Sequence, residues 1–179
     1  LNARDDVKLK QTAAEISNAH GTTISTHACD VTERDHVFSM IDDIESDGAI
    51  DILVNNAGIH IARSFLDYSF DEFKTVIESN VYSVFHVTQA VLAGMVKRKS
   101  GVIVNLASTA GKWGSRNQSA YNASKHAVVG ITRCLGLEMA GHNVRINAIC
   151  PWVVSTDMAD SFLDGHANAT GIARAVSYT

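Results

Sequence analysis

An α/β fold on a doubly wound parallel sheet is what this 179-residue sequence predicts, and three observations carry that prediction. Short β-branched or apolar runs alternate with longer stretches of helical periodicity. Each run stops at small or polar residues, so connections are short and the strands suit right-handed βαβ crossovers. The residues best suited to chemistry follow the ends of those runs, at the carboxyl edge where ligands of such sheets bind. A parallel sheet of this kind is covered on both faces, giving three layers, α/β/α.

The elements are read in order along the chain. Leu1-Asn2-Ala3-Arg4 resembles the tail of a strand, and a polar helix follows to about Ala19. Thr22 to Cys29 is β-branched and alternating, and it stops at Asp30. Thr32 with Asp35 has the spacing of a capping box for a helix to about Asp47. Ile50 to Val54 is a buried strand that turns at Asn55-Asn56-Ala57-Gly58, where Gly58 permits close backbone approach. Asp71 opens a long helix whose apolar positions include Val76, Ile77, Val84 and Val91. Val102 to Leu106 is a further strand, 107–115 a Ser/Thr/Gly-rich loop, 118–140 a helix, and Asn143 to Cys150 a strand closed by Pro151. Residues 1–179 read as one domain.

Composition narrows the function classes. The chain is 46% hydrophobic and 19% charged, with net charge −4 and no basic stripe, which argues against nucleic-acid binding. The eight histidines form no HxxxH pair, and Cys29, Cys134 and Cys150 lack metal-like spacing, so no metal site is expected. Those cysteines read as buried reduced thiols of a cytoplasmic protein. No apolar stretch reaches membrane-spanning length, and the opening residues carry no signal-peptide pattern.

Tyr121 and Lys125 are one helical turn apart, and Ser108 lies thirteen residues before the tyrosine. Positions i and i+4 share a helix face, so the ammonium can lie beside the phenol. A free phenol has a pKa of about 10, and a neighbouring cation favours phenolate and moves that value toward neutrality. Ser108 then offers a hydroxyl to a carbonyl or alcohol oxygen. Proton transfer at oxygen is the chemistry expected.

Asn55-Asn56-Ala57-Gly58, Asn80, Ser108, Tyr121-Asn122-Ala123-Ser124-Lys125 and Asn147 through Pro151 with Thr156, in that order, resemble the classical short-chain dehydrogenase/reductase family. The resemblance implies a Rossmann-like fold and a catalytic group of Asn80, Ser108, Tyr121 and Lys125. Tyr121 is the proton donor in reduction and acceptor in oxidation, and Lys125 holds the nicotinamide ribose. Ser108 and Tyr121 contact the substrate oxygen, and the Asn80 backbone helps hold a water. Asp30 and Val31 correspond to the adenine contacts. Asn56, Ala57 and Gly58 border the cofactor, and Val154 and Thr156 close over the carboxamide.

Asn2-Ala3-Arg4 offers no acid and presents the Arg4 guanidinium, which favours NADP(H) over NAD(H). Asp5 and Asp6 partly offset its field. The loop 107–114 is similar to that of polyketide ketoreductases and 3-oxoacyl reductases, while Lys125 to Gly130 resembles hydroxybutyrate dehydrogenases. A β-keto thioester or small ketone is the expected substrate. An NAD-dependent alcohol dehydrogenase and a non-catalytic binding fragment of the same fold are the alternatives.

The resemblance also implies a glycine-rich loop and a central strand ahead of Leu1, and a further strand and helix after Thr179, so the chain reads as truncated at both ends. The strand ending at Arg4 is then expected to lack a bridge to the strand ending at Asn55. Trp152 stands where the family commonly has glycine, and Asp157, Met158 and Phe162 are expected in a substrate lid. A homo-oligomer, dimer or tetramer, is expected through the helices at 71–98 and 118–140.

Overall fold

The computed structural model describes residues 1–156. Asp157, Met158 and Phe162 lie outside the described residues. Strands β1 (Asn2–Ala3), β2 (His27–Ala28), β3 (Ile52–Asn55), β4 (Gly101–Leu106) and β5 (Val144–Ile149) alternate with α1 (Asp6–His20), α2 (Arg34–Asp47), α3 (Phe70–Ile77), α4 (Ser83–Arg98) and α5 (Ser119–Glu138). Every strand pairing is parallel. β1 pairs only with β2, while β3, β4 and β5 form a separate three-stranded sheet in that order. Among the described residues no strand links the two sheets. Side chains of β1 and β3 line a common cleft.

Local chemistry sets the element ends. Asp5 caps α1 by accepting from the N–H groups of Val7 and Lys8 at 3.1 and 3.0 Å. Gly21, at φ +63°, ends the helix in the left-handed region that glycine enters without a Cβ clash. Ser69 and Glu72 form a reciprocal capping box, which starts α3 at Phe70 rather than Asp71. The box expected at Thr32 and Asp35 does not form. The Asp30 carboxylate accepts from both the backbone N–H and the hydroxyl of Thr32, so Thr32 belongs to an Asp-led turn and α2 begins at Arg34.

The strand expected over 22–29 is paired only at His27 and Ala28, because β1 offers two partner residues and a strand persists only where its ladder does. The long helix is continuous, but Glu78–Tyr82 forms a widened π turn between α3 and α4.

One face of the three-stranded sheet carries the core. Val37 and Ile41 of α2 and Val91 and Met95 of α4 pack with Ile103, Val144 and Ile146 of the strands, with Leu135 and Met139 against them. Burial alternates along β4 and β5, the period-two signature of a sheet whose faces differ. On the opposite face Ile52, Val54 and Ile149 remain exposed.

A buried polar line crosses the sheet. Asn55 Nδ2 donates to Thr88 Oγ1 and to Asn105 Oδ1 at 3.0 and 2.8 Å, and Asn105 Nδ2 donates to Thr132 Oγ1 at 2.9 Å. Asn55 and Asn105 are register partners on β3 and β4. Their amides tie α4, both strands and α5 together just below the loops that carry the chemistry.

Candidate active site

β4 ends at Leu106, and Ser108 follows in extended conformation as the cap of a one-turn helix, its Oγ accepting from Ala110 N–H at 3.1 Å. α5 starts at Ser119, which places Tyr121 and Lys125 on its first turns, facing the Ser108 loop. The Ser108 side chain lies near enough to the Tyr121 phenol to favour its ionised form. Lys125 Nζ lies 5.6 Å from the Tyr121 ring centre and donates to the Leu106 carbonyl at 2.7 Å. A cleft of about 580 Å³ brings Ser108, Tyr121 and Lys125 together with Val154 and Thr156.

The electrostatics differ from the sequence expectation. Burial pushes the Tyr121 phenol above its ordinary range, and the Ser108 side chain only partly opposes this. Burial pulls Lys125 down to about 8 from 10.5. The ammonium is directed at the strand-end carbonyl, and desolvation governs the phenol. The trio is assembled, but the tyrosine is not acidified in this structure.

Asn80 sits in the π turn and is almost fully buried. Its Oδ1 accepts from Ile59 N–H at 2.7 Å, and its Nδ2 donates to the Ile59 carbonyl at 2.9 Å and to Ser124 Oγ at 3.0 Å. One amide thus holds the loop after β3 against α5. The fit is close: a Cβ on Gly58 would lie 3.1 Å from Asn80 Oδ1 and 3.7 Å from Lys125 Nζ. π turns are often found at functional sites, where the extra residue re-aims neighbouring groups. Asn80→Ala strips both backbone groups of Ile59 of a buried partner, so unfolding free energy is expected to fall by about 2–4 kcal/mol, measured by urea denaturation. A loss under about 0.5 kcal/mol would rule out this bracing role.

The remaining sequence-named residues fall into two groups. Arg4, Asp30 and Val31 line the cleft between β1 and β3, whereas Val154 and Thr156 line the Tyr121 cleft. Asn56, Ala57 and Gly58 line both clefts and join them. Arg4 Nη1 is 3.8 Å from Asp30 Oδ2 with both side chains partly exposed, a pair weakened by water. Asp5 is engaged as the α1 cap and Asp6 pairs with Lys10 at 2.6 Å, so Asp30 is the carboxylate that offsets Arg4.

Sequence reasoning missed His60. Its ring stands edge-on to Tyr121, centroids 5.0 Å apart at 85°, on the wall of the same cleft. Burial pushes its imidazole below the ordinary range, which favours the neutral form near pH 7. Its position two residues beyond Gly58 was the available signal. A lone histidine after a turn carries no pattern by itself.

A nicotinamide dinucleotide fits the residues present. Asn56, Ala57 and Gly58 are shared by the two clefts, and a side chain at Gly58 would crowd Asn80 and Lys125. Comparison with known proteins agrees with this geometry. The family model described as short chain dehydrogenase matches residues 1–167. A 3-oxoacyl-(acyl-carrier-protein) reductase from Chlamydia muridarum is 34% identical over 160 residues, covering 89% of this chain and 64% of that protein. The solved structure of an actinorhodin polyketide ketoreductase with NADPH superposes with a TM-score of 0.92 at 35% identity, covering 99% of this chain and 69% of that one. An NAD+-bound xylitol dehydrogenase gives 0.90 at 34% identity, covering 95% and 66%. The chain spans 62% to 64% of the length of several curated relatives it matches.

Proposed function

This chain belongs to the short chain dehydrogenase family, and from that premise we propose that its full-length protein exchanges hydride between NADP(H) and a carbonyl or secondary alcohol. The observation that carries the reading is the gathering of Tyr121, Ser108 and Lys125 in one cleft, with the ammonium 5.6 Å from the Tyr121 ring centre. When bound, the nicotinamide supplies or receives the hydride, and the protein supplies position and electrostatics. In reduction Tyr121 Oη gives its proton to the substrate oxygen, while Ser108 Oγ holds that oxygen by a hydrogen bond. In oxidation Tyr121 takes the proton back. A phenol held neutral by burial keeps the proton that reduction delivers to the substrate oxygen.

Lys125, Asn56, Ala57, Gly58, Val154 and Thr156 are the residues that would hold the nicotinamide end, and Arg4, Asp30 and Val31 the adenosine end. Asn80 remains in the catalytic group through its π turn and through the Ile59 backbone it fixes. A β-keto thioester or small ketone is the proposed substrate, on the strength of the 3-oxoacyl and polyketide reductases the chain resembles.

The rival cofactor is NAD(H), favoured by the Asp30 carboxylate that partly neutralises Arg4. Steady-state assays with both cofactors against a ketone panel decide the matter. Arg4→Ala is expected to raise KM for NADPH about tenfold and leave KM for NADH within about twofold, from one lost charge-assisted phosphate contact. Equal effects on both cofactors would favour NAD(H). No reduction of any ketone with either one would refute the enzymatic reading and leave the non-catalytic alternative.

We also propose a cytoplasmic homo-oligomer assembled through α4 and α5. Tyr82 and Phe85 at the start of α4 and Leu137 near the end of α5 are exposed. No helix among the described residues is long and apolar enough to cross a membrane.

A further inference from the structure

Trp113 and Trp152 stand on different loops yet meet at one mouth. Trp113 follows the one-turn helix after Ser108, and Trp152 follows β5 and Pro151. The loops are tied beside the rings: Ala107 N–H donates to the Ile149 carbonyl at 2.9 Å, and Thr109 N–H to the Pro151 carbonyl at 3.0 Å. Asn122 Nδ2 donates to the Trp113 carbonyl at 2.6 Å, which anchors that loop to α5 one residue past Tyr121. The indole centres are 5.9 Å apart with planes at 54°. Both rings line the cleft of Ser108 and Tyr121, and they are 50% and 58% exposed.

We propose that the two indoles form an aromatic wall that selects ketones, and the matching alcohols, carrying a flat ring beside the reacting carbon. This rests on the carbonyl–alcohol reading above and names the substrate class for that same site. A planar ring gains apolar burial and an offset or edge-on contact with indole faces. A flexible alkyl chain of equal size gains the burial but loses rotamer freedom when it is ordered. The same cleft holds the polar Ser108 and Tyr121, with the His60 ring edge-on to Tyr121. It offers hydroxyls to the reacting oxygen and indole faces to the substituent, which orients a ring-bearing ketone. The backbone ties next to both rings make the wall preorganised.

The test compares kcat/KM for α-tetralone and methyl octyl ketone, which have equal carbon counts, in the full-length protein. α-Tetralone is expected to be preferred about tenfold or more, and Trp113→Leu and Trp152→Leu to bring the ratio toward unity. A ratio is unaffected by partial misfolding, which lowers both rates alike. A parental ratio near one, or one unchanged in both variants, overturns the proposal. Should no ketone turn over with either cofactor, the carbonyl reading fails and tryptophan fluorescence judges the wall alone. Saturable quenching by α-tetralone but not by methyl octyl ketone sustains it. Equal or absent quenching overturns it.

Discussion

Tyr121→Phe in the full-length protein is expected to lower kcat for ketone reduction by about 10²–10⁴-fold, the usual contribution of a positioned general acid. The substitution removes one oxygen and leaves the ring. The edge-on contact with His60 and the nearby Lys125 ammonium are retained, and both report on the ring rather than its hydroxyl. Ser108 loses a neighbouring hydroxyl but still accepts from Ala110 N–H, so its loop stays in place. Nicotinamide affinity is therefore expected to stay within about fivefold, since a lost neutral hydrogen bond is worth about 1 kcal/mol. Turnover and cofactor titration measured on one preparation separate these effects. A near-normal rate would show that another group delivers the proton, and His60 would become the first alternative because it shares the cleft.

The parts of this site that were legible in the sequence are those fixed by spacing on one element or by a turn. Tyr121 and Lys125 share a helix face because four residues make about one turn, and the structure keeps them there. Asn55 to Gly58 follows an apolar run, and its first residue proves to be the centre of a buried amide line between register partners.

What was not legible depends on contacts between elements. The spacing of Tyr121 and Lys125 says nothing about the carbonyl at the end of β4, yet Leu106 is where the ammonium points. The phenol's upward shift follows from burial, and burial is a property of the assembled loops. The Thr32 start was misread because local pattern cannot tell an Asp-led turn from a capping box until the Asp30 side chain is placed. Trp152 was visible as a departure, but only the backbone ties between two loops reveal that it faces Trp113.

Lys125→Met should separate stability from chemistry most sharply, because this lysine is held in the fold at a cost. Burial lowers its pKa to about 8, against 10.5 for the ordinary side chain. Below pH 8 the lysine is protonated in both folded and unfolded chains, and the penalty for burying the charge is present in full. Between pH 8 and 10.5 the unfolded chain binds the extra proton, so stability rises with pH, and above 10.5 the penalty is gone. A shift of this size corresponds to about 3 kcal/mol. Methionine has similar length and no charge, so the variant lacks that rise while other titrations common to both proteins cancel in the difference. The expected result in cofactor-free urea denaturation is a parent that gains up to about 3 kcal/mol relative to the variant from pH 8 to 10.5. At pH 7 the relief of the penalty offsets the loss of the bond to Leu106, whose stranded carbonyl costs about 1–3 kcal/mol, so the variant is about as stable as the parent or slightly more so. Its turnover is expected to fall by at least about 10²-fold, because the cation beside the phenol and the cofactor is gone. A variant destabilised by more than about 3 kcal/mol at pH 7 that keeps near-parental turnover would mean Lys125 serves the fold rather than the reaction.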